Sequence, residues 1–201
     1  MPGRYIALEG VEGCGKSTQA ALLAADLGAV LTRETGGTAI GDRIRSVLHD
    51  PGNVHLDPIA EALLSAGDRA QHRAEVVAPA LAAGRDVVSD RSVWSSVAYQ
   101  GYGRELPVDV VREVNDWALA GRWPDLVVLL RLAPDDVERR LAGRSLDRFE
   151  REDAAFFQRV AGGFDALAAA DPQHWIVVEA GGTVDEVFAE LRLAVRERLS
   201  R

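Results

Sequence analysis

The stretch "EGVEGCGKST" runs from Glu9 to Thr18 and holds both the only lysine and the only cysteine of the chain, Lys16 and Cys14. Gly10 to Ser17 fits G-x-x-x-x-G-K-[ST] at every fixed position, the pattern of a loop that cradles phosphates. Glycines let backbone N–H groups turn inward, and a helix that starts in the loop adds its positive end. Lys16 would then reach the β and γ phosphates, and Ser17 would offer its hydroxyl to Mg²⁺. A compact ammonium sits between two phosphates where a planar guanidinium does not fit in the same way. That is a reason for one lysine to persist where every other long cationic side chain is arginine. Gly10, Val11, Glu12, Gly13, Cys14, Gly15, Lys16, Ser17 and Thr18 are therefore expected to bind ATP. Only the backbone of Cys14 is demanded there, so its thiol reads as a small filler.

Two further groupings belong with such a loop. "VVSD" (Val87–Asp90) ends an apolar run on Asp90, followed by Arg91. An Asp at the carboxyl end of a strand beside a phosphate loop holds Mg²⁺ through water; an ordinary helix-capping Asp is the plainer reading. "GRSLDRFER" places Arg144, Arg148 and Arg151 in a polar stretch between two helical segments. That is a solvated helix start, or, given the phosphate loop, a lid over about 143–152 that closes on ATP. A GTPase would need a second lysine in its guanine-reading motif, and a large motor or ring ATPase needs more chain. A small-molecule kinase remains, with a second basic site for its acceptor.

The elements that must position these groups follow from periodicity. Tyr5–Leu8, Ala29–Thr32, Asp86–Ser89, Asp125–Leu132 and Trp175–Val178 read as short apolar strands. Between them, Ser17–Leu27, Ala39–Leu48, Pro58–Ala83, Val93–Gln100, Val108–Ala120, Pro134–Ala142, Asp153–Ala170 and Val184–Leu199 have helical spacing, with Pro79 near a start or a kink. Strands alternating with helices predict a five-stranded parallel sheet with crossover helices on both faces. The 201 residues suit a single α/β domain, since no linker-like stretch interrupts the pattern.

Composition narrows the partners. A net charge of −8 argues against a protein that coats nucleic acid or anionic membrane. It leaves room for small nucleotides in a local basic pocket. One cysteine cannot form an internal disulfide, so a reducing, cytoplasmic setting is expected. Met1–Arg4 lead directly into the first strand, so no signal peptide is expected, and no apolar run approaches the roughly 20 residues of a membrane span.

Five segments carry a resemblance to a known family. "TRETGGT" (32–38), "GDRAQH" (67–72), "DRSVWSSVAYQGYGR" (90–104), "PDLVVLLRL" (124–132) and "LDRFERED" (146–153) occur in the order and at the spacing of thymidylate kinases of bacterial type. The resemblance spans essentially the whole chain. It implies a P-loop kinase fold and transfer of the γ-phosphoryl of ATP, with Mg²⁺, to dTMP. Position by position it implies that Arg69 and Arg91 grip the acceptor's monophosphate, paired guanidiniums suiting a dianion. Arg45 and Glu34 would line the same cleft. Tyr99 would sit under the deoxyribose, and Ser96 and Gln100 near the base edge. Glu12 and Asp90 would order phosphate and metal, while Arg144 and Arg148 would reach the transferring phosphoryl and the adenine side. It also implies a homodimer, and the apolar faces around Ala60–Leu64 and Val110–Leu119 permit one.

The chain departs from the family's pattern at four places. Thr35 stands where the family usually has Pro, Ser65 where it has a ring that stacks on thymine, and Ser92 where it has an aromatic or His. Trp94 stands where a small or acidic residue is common, and could supply a ring from the opposite wall. Two other readings stay open on sequence alone: a P-loop kinase for a different or modified pyrimidine deoxynucleotide, and a nucleotide-binding paralogue without turnover. Trp117, Trp123 and Trp175 read as packing residues, and His49, His55 and His174 as surface or turn residues.

Overall fold

The computed structural model describes residues 3–143 and 145–200. Five strands form one parallel sheet: β1 (Tyr5–Glu9), β2 (Val30–Arg33), β3 (Val87–Asp90), β4 (Leu126–Arg131) and β5 (Trp175–Glu179), in the order β2-β3-β1-β4-β5. All five lie at the predicted places. β1 is buried along its whole length and β4 from Leu126 to Leu130, as expected of strands covered by helices on both faces. The register aligns Leu8 with Asp90 and Val128, and Arg33 with Asp90. The carboxyl ends of β1, β2 and β3 therefore open side by side into one crevice, where ligands of open α/β sheets bind.

The connecting helices are α1 (Lys16–Leu27), α2 (Ala39–His49), α3 (Pro58–His72), α4 (Ala78–Ala82), α5 (Val93–Ser96), α6 (Val108–Leu119), α7 (Pro134–Leu141), α8 (Ala154–Ala170) and α9 (Val184–Leu199). Their ends follow local chemistry. Asp57 caps α3 ahead of Pro58, accepting from the N–H of Ile59 at 2.8 Å. Thr183 and Glu186 form a reciprocal capping box on α9.

Periodicity did not show two wide, π-type turns. One, Arg73–Val77, divides the long helical segment that begins at Pro58. Pro79 follows it and lacks the N–H an α-turn would use, while its ring crowds the carbonyl four residues back, so the turn widens there. The other, Val97–Gly103, extends the expected helix and carries Tyr99 and Gln100. It packs on α8, where a side chain at Gly103 would come within 2.7 Å of the Phe156 ring. The main core lies between the sheet and these helices and includes Phe156, Val160 and Phe164 of α8. Each such large apolar side chain contributes about 1.5–3 kcal/mol on burial.

Candidate active site

The loop between β1 and α1 takes the shape its glycines permit. Gly10, Gly13 and Gly15 have φ of 141°, 74° and 93°, values L side chains rarely adopt. A Cβ on Gly10 would lie 2.5 Å from the carbonyl oxygen of Leu130 and 2.9 Å from Cys14 Sγ. Nothing lies within 4 Å of the Cβ position of Gly15, so the space above it is open. Lys16 Nζ is buried under the loop and donates to the carbonyls of Gly10 (3.1 Å) and Val11 (2.8 Å). Ser17 Oγ donates to Asp90 Oδ2 at 2.5 Å. These oxygens suit a hard cation. Among the described residues no cluster of three His, Cys, Asp or Glu could hold a metal by itself, so a cation here would need water or phosphate oxygens to complete its shell. Arg140, which the sequence did not single out, pins the loop from outside: it donates to Gly13 O at 3.1 Å and to Ala180 O at 2.9 Å.

The cleft beside this loop has a volume of about 800 Å³ and is lined by Lys16, Glu34, Arg45, Arg91, Tyr99 and Gln100, among others. Arg91 stands nearest the phosphate loop. It donates to Gly10 O (3.2 Å), Ser95 Oγ (3.1 Å) and Glu12 Oε1 (2.7 Å), and its guanidinium carbon lies 5.0 Å from the Tyr99 ring centre. Burial alone would push its pKa down, but the Tyr99 oxygen and the Glu12, Glu9 and Asp90 carboxylates drive it well above the usual value. The Tyr99 hydroxyl donates to Glu12 Oε2 at 2.6 Å. Arg45 differs. Burial, then the positive charges of Arg33 and Arg91, push its pKa down, and the Thr35 carbonyl accepts from it at 3.1 Å. An anion beside Arg45 would relieve this crowding.

Arg69 is placed differently from Arg91. It is only 2% exposed and its donors turn inward: to Glu34 Oε2 (2.8 Å), Ser96 Oγ (3.1 Å), Ser92 O (3.2 Å) and Asn115 Oδ1. Four of its five N–H groups are thereby committed, so it cannot grip a phosphate with Arg91 in this arrangement. It builds the deep end of the cleft, the end that holds Ser96 and Gln100. Glu34 balances it and accepts from Arg69 and, at 2.9 Å, from His72 Nδ1. Burial pushes the Glu34 carboxyl up, but the Arg69 charge and the His72 bond hold it below the usual carboxylate range. Gln100 Nε2 donates to Glu61 Oε1 at 2.8 Å.

Arg148 also turns inward. It is 7% exposed, donates from Nε to Leu48 O at 2.7 Å, and places Nη2 2.8 Å from the buried Glu61 Oε2. It fastens the turn 145–152 to α2 and α3 and does not reach the phosphate loop. Arg144 lies outside the described residues. Trp94 does not supply the missing ring: it packs on Trp123 and Trp175, with centroids at 4.8 and 5.3 Å, away from the cleft. Ser65 does face the cleft and donates to Glu61 O at 2.9 Å. The ring that lines the cleft beside Tyr99 is Phe149, edge-on at 5.9 Å. Ser92 has a different purpose: with Ser95 it gives four hydrogen bonds, of 2.6–3.1 Å, to the buried Glu9. Burial nonetheless leaves the Glu9 carboxyl raised. Glu9 was missed; its signal is a carboxylate ending an otherwise apolar strand. Asn115 had no comparable signal. Thr35 follows a cis peptide bond from Glu34.

Comparison with known proteins agrees with this geometry. Residues 8–191 match the thymidylate kinase family model. A thymidylate kinase of Nitratidesulfovibrio vulgaris is 45% identical, over 98% of this chain and 97% of that protein. One from Synechococcus sp. (strain JA-3-3Ab) is 46% identical, over 97% and 96%. The crystal structure of thymidylate kinase from Ehrlichia chaffeensis superposes with a TM-score of 0.80 at 27% identity, covering 97% of this chain and all of that one.

Proposed function

The chain belongs to the thymidylate kinase family, and we propose how its residues divide the transfer of the γ-phosphoryl of ATP to dTMP. The observation that carries the assignment is the single cleft in which the Lys16 loop faces Arg45, Arg91 and Tyr99. The backbone from Gly10 to Thr18 and the Lys16 ammonium hold the donor's phosphates. Ser17 and, through water, Asp90 would hold Mg²⁺, which would neutralise charge on the donor's phosphates. Arg91 and Arg45 hold the acceptor's phosphate, with Glu12 and Tyr99 fixing the plane of Arg91. Arg144 remains a candidate for a lid cation. Catalysis is then alignment plus fixed positive charge, with no covalent intermediate.

The deep end selects the base. Glu61 accepts only, so Gln100 must keep its amide nitrogen towards Glu61 and its oxygen free as an acceptor. Ser96 Oγ accepts from Arg69 and keeps its O–H as a donor. A donor beside an acceptor matches the O4 and N3–H of thymine or uracil, and opposes the N4 amine and N3 of cytosine. The test is ADP release with ATP and Mg²⁺ across dTMP, dUMP, dCMP, dGMP, UMP and thymidine. Clear preference for dTMP supports the reading; preference for dCMP or thymidine overturns it.

A homodimer in the cytoplasm completes the proposal. Ile40 and Val47 on α2, Ile59 and Leu63 on α3, and Val110 and Trp117 on α6 are exposed on three helices that pack in series. Trp117, read from the sequence as a packing residue, is 87% exposed, and a second copy of the same face would cover it. No helix among the described residues is long and apolar enough to cross a membrane.

A further inference from the structure

His49 closes α2, and its side chain stands between two walls of the cleft. We infer that it is a positioning residue that ties the acceptor loop at Thr35 to the turn 145–152 and so sets Phe149 against Tyr99. The inference rests on the reading of this cleft as the acceptor site.

Nδ1 of His49 lies 2.7 Å from Asp147 Oδ2, and Nε2 lies 3.3 Å from Thr35 Oγ1. One neutral tautomer satisfies both: Nδ1–H donates to the carboxylate, and the Nε2 lone pair accepts the threonine hydroxyl. The ring packs edge-on to Phe149 with centroids 5.2 Å apart, and Phe149 in turn packs on Tyr99 at 5.9 Å. Asp147 is committed at both ends, since its Oδ1 caps the turn by accepting from Glu150 N at 2.9 Å. Although burial pushes the Asp147 carboxyl up, the His49 bond and the turn amides hold it below the usual range. On the opposite side, Thr35 is braced by Arg45, the proposed phosphate ligand, through its carbonyl at 3.1 Å. Thr35, His49, Asp147 and Phe149 all line the cleft. A chain of contacts thus runs from the phosphate-attracting Arg45 through Thr35 and His49 to the ring at the other wall. The main-chain bond from Arg148 N to His49 O (3.2 Å) does not depend on the imidazole, so removing the ring unlinks the walls and leaves the turn docked.

The test uses the full chain and steady-state kinetics at saturating ATP and Mg²⁺, alongside thermal melts. His49→Ala is expected to raise the KM for dTMP about 5- to 10-fold, within the range of coupling between contacting groups. Turnover should stay within about twofold and the melting temperature should be unchanged. His49→Asn places an amide where Nδ1 stood, keeps the Asp147 bond, and should recover most of the loss. The double variant His49→Ala/Asp147→Ala should be no worse than Asp147→Ala alone. An unchanged KM in His49→Ala, no recovery in His49→Asn, or multiplied effects in the double variant would overturn the inference. If His49→Ala loses its fold, the ratio of KM between His49→Asn and wild type decides, with a ratio above about fivefold counting against the link. Wild-type turnover of dTMP in the same assay separates failure of this link from failure of the acceptor reading.

Discussion

Replacing Arg69 by methionine removes a charge while keeping most of the volume. The guanidinium leaves behind Glu34, which is 4% exposed and retains only the His72 ring and a long contact from the Tyr5 hydroxyl at 3.5 Å. Breaking a buried pair from one side costs about 3–5 kcal/mol, because the surviving charge is uncompensated. The whole fold is worth only about 5–15 kcal/mol. At about 2–4 °C per kcal/mol for a chain of this size, Arg69→Met should lower the melting temperature by roughly 6–20 °C. The pH dependence carries a sign. In the wild type Glu34 is held below its ordinary value, so its contribution is present above the unfolded carboxylate pKa of about 4.3 and is lost as pH falls through the lower folded value. Without Arg69 the largest downward push is gone and His72 alone opposes burial, so the folded pKa of Glu34 moves up. The variant's deficit should then be largest at neutral pH and narrow on acidification. Arg69→Met/Glu34→Gln, which removes the stranded charge, should recover at least half of the loss at pH 7. Calorimetry at pH 7 and pH 5 reads all of this. A shift below about 2 °C in Arg69→Met, or no recovery in the double variant, would refute the placement of Arg69 as the buried partner of Glu34.

Three other outcomes are expected. Lys16→Ala should cut turnover about 100- to 1,000-fold, as loss of one fixed donor to a transition state does, while the melting temperature holds; wild-type-like turnover would sink the mechanism. Arg148→Ala should destabilise by about 1–3 kcal/mol, through loss of its bond to Leu48 O and its pairing with Glu61, yet leave turnover within about threefold. A phosphoryl-contacting arginine would instead cost about 1,000-fold or more. Trp117→Glu should shift the chain to monomer in size-exclusion chromatography with light scattering, with its melt otherwise two-state; an unchanged dimer would place the interface elsewhere.

The parts legible in the sequence are those whose cause is local. The glycines at 10, 13 and 15 demand a particular backbone, and Lys16 demands phosphate, so the loop and its chemistry could be read from ten residues. Apolar runs of four to six residues between helical stretches located every strand. The destinations of long side chains were not legible. Arg69 and Arg148 both looked available for phosphate, but each finds a buried carboxylate, Glu34 or Glu61, on a segment far away in sequence. The paired charges are satisfied inside the fold, and no spacing rule reveals that. Trp94 and Trp117 exchanged their expected roles for a related reason. The same residue type serves a core cluster or an open face depending on which helix lies opposite. The wide turn at Val97–Gly103 was hidden because a helix interior reads alike with four or five residues between hydrogen-bonded partners.

The measurement that bears most directly on the account is calorimetric binding of dTMP and of thymidine to the wild type and to Arg45→Ala. Arg45 and Arg91 are assigned to the phosphate, and the end of the cleft built on Arg69, Ser96 and Gln100 is assigned to the base. Arg45→Ala should therefore weaken dTMP about 10- to 100-fold, the range for losing a charge-assisted bond, and leave the weaker binding of thymidine unchanged. Equal loss for both ligands, or loss for neither, would contradict the assignment of the two ends.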